Sequence, residues 1–387
     1  MSRYAEMLKR LLTKNGHQVE ILRPEPFFGL LKPSGQGLGK WLGYIDKYLL
    51  FPLTLRRYVR RRKKKLRPTG NITREEAFLV HICDQSNAVY TRWLQDVPHF
   101  VTCHDVMAIQ SARGLIPGLK TGWTGRQLQN WILSGLRNAA YVVCVTEETR
   151  VDLLALAPEL EIRSCTIETP LNYPFAPMTS ASAISALSSL SLSPEFSPGK
   201  HRFIFHVGGN QWYKNREGLI WIFARLCSAF PDYIRDHSIH LVMVGKAPTE
   251  IMRQLVDKSG LTGKILFVTD VSDQQLCAFY SLADVLAYPS LKEGFGWPLI
   301  EAQACACPVV TSDRAPMNRL AGPAGLLAGP DNLTDFAEKL FRVLSEDPEK
   351  RGIRKAEARQ HSRNYDGQTF LKQMETTYQK AFATQDI

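Results

Sequence analysis

Two glutamates, Glu293 and Glu301, enclose the run Glu293-Gly-Phe-Gly-Trp-Pro-Leu-Ile-Glu301. An apolar, β-prone stretch, Val285 to Tyr288, precedes it, and the residues that follow read as a helix with Pro298 in its first turn, where a missing N–H costs nothing. The loop Glu293–Gly296 therefore places free backbone amides at a helix start, an arrangement suited to an anion. Its glycines, Gly294 and Gly296, let a ligand approach the backbone closely. A second loop of this kind follows the apolar run Phe203–Val207, where Gly208 and Gly209 lead into Lys214 and Arg216. His104-Asp105 closes a third apolar run, and His81 stands before Asp84-Gln85-Ser86-Asn87. Taken singly, each has an ordinary explanation: a helical glutamate or a lysine is usually solvated, a strand-end His-Asp is often a structural pair, and His206 inside a strand reads as core. Only the pattern around them can decide.

The elements that must position these residues form two series. Strand signals fall at 18–22, 78–82, 100–103 and 141–145, with helical periodicity over 128–136 and 149–156. A polar Ser, Ala and Pro-rich stretch, 176–200, follows. Beyond it, strand signals recur at 203–207, 240–244, 265–268, 285–288 and 308–311. Alternation of this kind predicts an α/β fold of two doubly wound parallel-sheet domains, with ligands at the carboxyl ends of the strands in a cleft between them. The expected division is an acceptor-binding domain over 1–175, a linker over 176–200, a nucleotide-binding domain over 201–360, and a C-terminal helix over 361–387 able to pack back on the first domain. Tyr4–Leu12 reads as an amphipathic helix that no strand precedes, whereas a doubly wound domain starts with its central strand. The expectation is that this first strand is missing, through a late start or a truncation.

The run Pro289-Ser290-Leu-Lys-Glu293-Gly294-Phe295-Gly296-Trp-Pro298-Leu-Ile-Glu301-Ala302 resembles the E-x7-E motif of the family 4 retaining glycosyltransferases (group 1 type), which have the two-Rossmann-domain GT-B fold. Gly208-Gly209 with Lys214 is similar to that family's donor-pyrophosphate loop, His104-Asp105 to its His-Asp segment, and Thr146-Glu-Glu-Thr149 to its S-x-x-T helix start. The resemblance implies a nucleoside diphosphate sugar as donor and retention by front-face substitution. It implies that Glu301 holds the ribose, that Glu293 contacts the sugar, and that His104 touches the sugar or the reacting oxygen. Charge developing on the leaving diphosphate calls for Lys214 and the amides of Gly208, Gly209, Gly294, Phe295 and Gly296. The usual second loop cation is absent, and Arg216 is the substitute. Glycine is common in the family where Ala306 stands, and an acidic residue where Asn318 stands. No metal or cofactor is expected, the donor itself being a substrate.

Charge is local. The net charge is +11, and nine of the twelve residues from Arg56 to Arg67 are Arg or Lys. Aromatic and aliphatic residues from Trp41 to Phe51 precede this run. Together they read as a segment for an anionic membrane surface, carried by Trp41, Arg60, Arg61, Arg62, Lys63, Lys64 and Lys65. Such placement fits a lipid-linked or polysaccharide acceptor. A solvated basic helix is the plainer alternative, and nucleic acid is set aside because no recognition fold accompanies the run. Eight cysteines without a CxxC pair read as reduced thiols of a cytoplasmic protein, peripheral on the inner membrane face, and Cys305-Ala-Cys307 as two packed thiols. A competing class is a non-catalytic remnant that binds nucleotide or membrane within an assembly. A nicotinamide oxidoreductase is weaker, since no strand runs into GxGxxG with an acidic residue beyond it.

Overall fold

The computed structural model describes residues 2–25, 27, 28, 38–66 and 78–383, and the side chains within them except those of residues 2, 38–41, 65, 66, 381 and 383. The chain divides into two compact units, Met1–Glu168 with Gly367–Ile387, and Thr169–Asp366.

The first unit holds a four-stranded parallel sheet in the order β1 (Val80–Ile82), β2 (His99–Cys103), β3 (Tyr141–Cys144) and β4 (Ser164–Thr166). β2 and β3 are buried along their whole length, as inner strands covered on both faces must be. Helices Ser2–Lys14, Trp123–Arg137, Glu147–Leu156 and Gly367–Ala383 belong to this unit. Thr146 caps the Glu147 helix, its hydroxyl accepting from the Thr149 amide. The Gly367–Ala383 helix brings Tyr378 onto Phe100 and His81, and a Cβ at Gly367 would lie 2.8 Å from Leu11.

The expected strand over 18–22 is not formed. A strand exists through its ladder partner, and β-propensity alone does not create one. Residues 17–25 form no ladder, and Leu22 packs on the unit's apolar core.

The second unit is a six-stranded parallel sheet ordered β10 (Leu326–Ala328), β9 (Val309–Ser312), β8 (Val285–Tyr288), β5 (Phe203–Gly208), β6 (His240–Gly245) and β7 (Ile265–Val268). The three-residue edge strands β4 and β10 are too short for periodicity to mark them. The stretch 176–200 is not a bare linker. It contains the helix Ser180–Leu187, capped by Thr179, and Ala183, Leu187 and Phe196 are buried within the second unit.

Candidate functional site

The site grows from the ends of β5, β6 and β8. β5 and β6 finish in register at Gly208 and Gly245. A Cβ at Gly245, whose φ is +140°, would lie 2.0 Å from the Gly208 carbonyl oxygen, so no side chain fits there. The chain then turns through Trp212–Lys214 into Asn215, at φ +51°, one of the few residue types tolerant of that conformation. Asn215 Nδ2 donates to the Pro289 carbonyl at 3.0 Å, and the Leu291 amide to the Tyr213 carbonyl at 2.7 Å. These bonds lock the loop after β5 onto the loop after β8.

That lock aims Lys214 at Glu293. Lys214 Nζ donates to Glu293 Oε1 at 2.8 Å and Oε2 at 3.0 Å, and to the Tyr288 hydroxyl at 2.8 Å. The Tyr288 hydroxyl in turn donates to Glu293 Oε1 at 2.7 Å. Tyr288 is fully buried and Glu293 is 8% exposed, so the pair is held largely out of water. Burial, followed by the Glu293 charge, pushes the Tyr288 phenol well above its usual range, so it keeps its proton.

Glu301 lies two turns along, on the helix Trp297–Ala304, and is also buried. Tyr280 donates to its Oε2 at 2.9 Å and Asn172 Nδ2 to its Oε1 at 3.4 Å. Pro298 occupies the first turn of that helix, and Gly296 caps it at φ +116°. Trp297 Nε1 donates to the Pro170 carbonyl at 3.0 Å, fixing the helix start against the chain's entry into this unit.

Arg216 is folded beneath the loop. It is 2% exposed, donates from Nη1 to Asn210 and to the Lys246 carbonyl, and lies over the Phe267 ring at 5.7 Å. Its Nε and Nη2 have no partner among the described residues, and burial lowers its pKa. His206, a core strand residue, donates from Nδ1 to the Ala287 carbonyl at 3.0 Å and is pushed down to about 3, chiefly by burial. Its Nε2 has no partner among the described residues and would lie 3.1 Å from a Cβ at Gly208.

Lys214 and Glu293 thus meet directly beside the Gly208 and Gly294–Gly296 segments, while Glu301 is held separately. Sequence reasoning missed Tyr288, Tyr280 and Asn172, the groups that orient the two glutamates. Tyr288 ends an apolar strand, where a tyrosine reads as core, so no local signal marked it.

In the first unit, His104 Nε2 donates to the Cys83 carbonyl at 3.0 Å, its amide donates to Gln85 Oε1 at 3.0 Å, and burial lowers its pKa. His81 bonds Tyr378 and Thr102, each at 2.7 Å, and burial pushes it down to about 3. On the Phe51–Leu66 helix, Arg60, Arg61 and Lys64 are exposed, Lys63 is half-buried, and Arg62 donates to the Tyr58 hydroxyl. Leu49 and Leu53 are exposed on the same stretch. The side chains of Trp41 and Lys65 lie outside the described residues. Among the described residues no helix is long and apolar enough to cross a membrane.

Residues 192–361 match the family "Glycosyl transferases group 1", and residues 1–164 match "Glycosyltransferase Family 4". The O-antigen chain mannosyltransferase B of Escherichia coli is 25% identical over 57% of this chain and 56% of its own. The D-inositol 3-phosphate glycosyltransferase of Corynebacterium aurimucosum is 25% identical over 76% of this chain and 68% of its own. In most of these alignments the chain spans about half the length of the curated relative or less. Among solved structures, Anabaena HepE in complex with UDP and glucose aligns over 95% of this chain and 88% of its own, with TM-score 0.65 and 16% identity. Sucrose-phosphate synthase of Thermosynechococcus elongatus aligns over 86% and 79%, with TM-score 0.62 and 21% identity. Those likenesses carry the fold, and the two family matches cover both parallel-sheet units: the chain belongs to the group 1, family 4 type glycosyltransferases of the GT-B fold.

Proposed function

We propose that this chain is a retaining, nucleotide-sugar-dependent hexosyltransferase that moves a hexose from a nucleoside diphosphate sugar to a hydroxyl of a lipid-linked or polysaccharide acceptor. The observation that carries the reading is the Lys214–Glu293 pair, its glutamate buried and its lysine largely so, beside the glycine segments at the ends of β5 and β8. Departure of the diphosphate develops negative charge, which Lys214 and the amides near Gly208 and Gly294–Gly296 stabilise. The sugar ring becomes electron-poor at the same moment, and Glu293, beside Lys214, stabilises it. Lys214 is shared between Glu293 and the diphosphate when donor binds. Glu301, held by Tyr280 and Asn172, takes the ribose hydroxyls. His104 serves the sugar or the reacting oxygen. The name of one relative, a mannosyltransferase, supports transfer of a hexose.

The test is a panel of nucleoside diphosphate sugars. Thermal stabilisation by one of them, transfer or hydrolysis from it, and loss of nucleotide binding in Glu301→Ala are expected. Absence of turnover from every donor, with unchanged nucleotide binding in Glu301→Ala, would sink the reading.

The exposed Leu49 and Leu53, followed by exposed Arg60, Arg61 and Lys64, support a further part of this proposal, docking on an anionic bilayer. Each basic residue near such a surface adds about 1 kcal/mol. Vesicles containing anionic lipid should sediment the protein, and neutralising 60–65 should release it. Sedimentation indifferent to lipid charge would remove this part alone.

A further inference from the structure

Each of the two glutamates is gripped by a buried phenol. We infer that two tyrosines divide the work: Tyr288 is the positioning residue for Glu293 and Lys214, and Tyr280 is the positioning residue for Glu301. The inference rests on the proposed function and deepens it.

The geometry is specific. Tyr288 Oη donates to Glu293 Oε1 at 2.7 Å and accepts from Lys214 Nζ at 2.8 Å, so one hydroxyl touches both members of the ion pair. Glu293 Oε1 then takes two donors, Tyr288 and Lys214, whereas Oε2 takes Lys214 alone among the described residues. The hydroxyl therefore decides which carboxylate oxygen retains capacity for a sugar hydroxyl. Without it the carboxylate can rotate about its terminal torsion, which is broad and soft, and Lys214 loses one of the groups that fix its reach.

Tyr280 does the same from a different element. It lies on the Asp273–Leu282 helix, is fully buried, and donates to Glu301 Oε2 at 2.9 Å. The helix is anchored by a capping box between Ser272 and Gln275, so the phenol is delivered from a fixed start. Burial and the neighbouring glutamate raise both phenols well above their usual range, so each remains a donor at any working pH. Neither tyrosine needs to meet the substrate. Their roles are separable because their glutamates serve different parts of the donor.

Phenylalanine at either position removes the hydroxyl and keeps the ring. The full-length chain and its Tyr288→Phe and Tyr280→Phe variants are compared by donor turnover, by calorimetric titration with UDP and GDP, and by thermal melting. Tyr288→Phe should lower kcat by about 10–100-fold, as expected for a lost bond to a charged group, with nucleoside diphosphate affinity held within about 3-fold. Tyr280→Phe should show the reverse split, weakening nucleoside diphosphate binding about 10-fold with kcat within about 3-fold. Tyr288→Phe in a Glu293→Gln background should cost less than in the wild-type background, because one of the two partners it acts through is already altered. An active wild type whose two variants lose rate and affinity together, in step with a lowered melting temperature, overturns the inference and leaves two core tyrosines. Variants indistinguishable from wild type overturn it as well. A wild type that binds neither nucleotide and turns over no donor overturns the proposed function itself, and the division of labour falls with it.

Discussion

Both units carry a buried polar cluster near strand ends, and the two are built on opposite principles. In the first unit, His81 bonds Tyr378 and Thr102, and Tyr4 bonds Thr102 at 3.1 Å, a chain of neutral groups closing on one another. In the second unit, Lys214, Glu293 and Tyr288 form a charged cluster, and close by lie a buried guanidinium with two nitrogens, and a buried imidazole with one, that have no partner among the described residues. A self-satisfied neutral network stabilises a fold. Charges and polar atoms held out of water without full partners cost stability, and a bound ligand, ion or water that completes them offsets that cost.

The largest effect that separates the two clusters is on turnover. On the proposed function, Lys214→Ala removes the cation assigned to the leaving diphosphate, and steady-state kinetics should record a fall of about 10²–10³-fold in kcat, the range for losing one stabilising donor. It also strands Glu293, buried and without its counter-ion, so a stability loss of about 3–5 kcal/mol should appear in chemical denaturation. Turnover within a few-fold of wild type would mean the charged cluster is merely another structural pair. The matching change in the first unit is His81→Phe. It leaves the Tyr378 hydroxyl without its histidine and takes one of two partners from Thr102, which should cost about 2–4 kcal/mol of stability. Nucleoside diphosphate binding should stay unchanged in that variant. Weakened nucleotide binding there would break the comparison.

How much of this was legible in the sequence follows the physics of each element. β5, β6 and β8 announced themselves because strands covered on both faces must be apolar throughout. β4 and β10 are three residues long and lie at edges, where pairing rather than composition creates the strand. The 18–22 stretch failed for the converse reason, carrying a strand's composition without a partner. Ser180–Leu187 looked like linker by composition, yet Ala183 and Leu187, one turn apart, give it a buried face. Lys214 and Glu293 were visible because glycines and charge mark a loop. Tyr288 was not, because a tyrosine ending an apolar strand reads as core, and the lysine that reveals its role lies 74 positions away.

A smaller effect, shared by both units, is on the pH dependence of stability. His81 and His206 are both pushed from 6.5 to about 3 by burial, with the Arg216 and Lys214 charges adding to the effect at His206. A folded-state pKa below the unfolded value means that the unfolded chain binds more protons between those limits. Stability is then full above about pH 6.5 and falls as pH drops toward 3, by about 1.4 kcal/mol per pH unit for each histidine. Urea unfolding at pH 7, 6 and 5 should show this slope in the wild type. His81→Phe should remove one histidine's share and leave that of His206. An unchanged slope in His81→Phe would show that the neutral cluster already admits a proton.

The smallest effect concerns Arg216. Arg216 holds the loop through Asn210 and the Lys246 carbonyl, but it is a buried cation with no ion-pair partner among the described residues. Removing such a charge relieves a desolvation cost while giving up two hydrogen bonds, and the two nearly cancel. Arg216→Met should therefore remain within about 1 kcal/mol of wild type in the absence of nucleotide. The same substitution should shrink the rise in melting temperature that UDP or GDP produces, because the unpartnered nitrogens are the ones an anionic ligand would complete. A full stability loss with an undiminished response to nucleotide would place Arg216 with His81, as a group whose work is finished when the chain has folded.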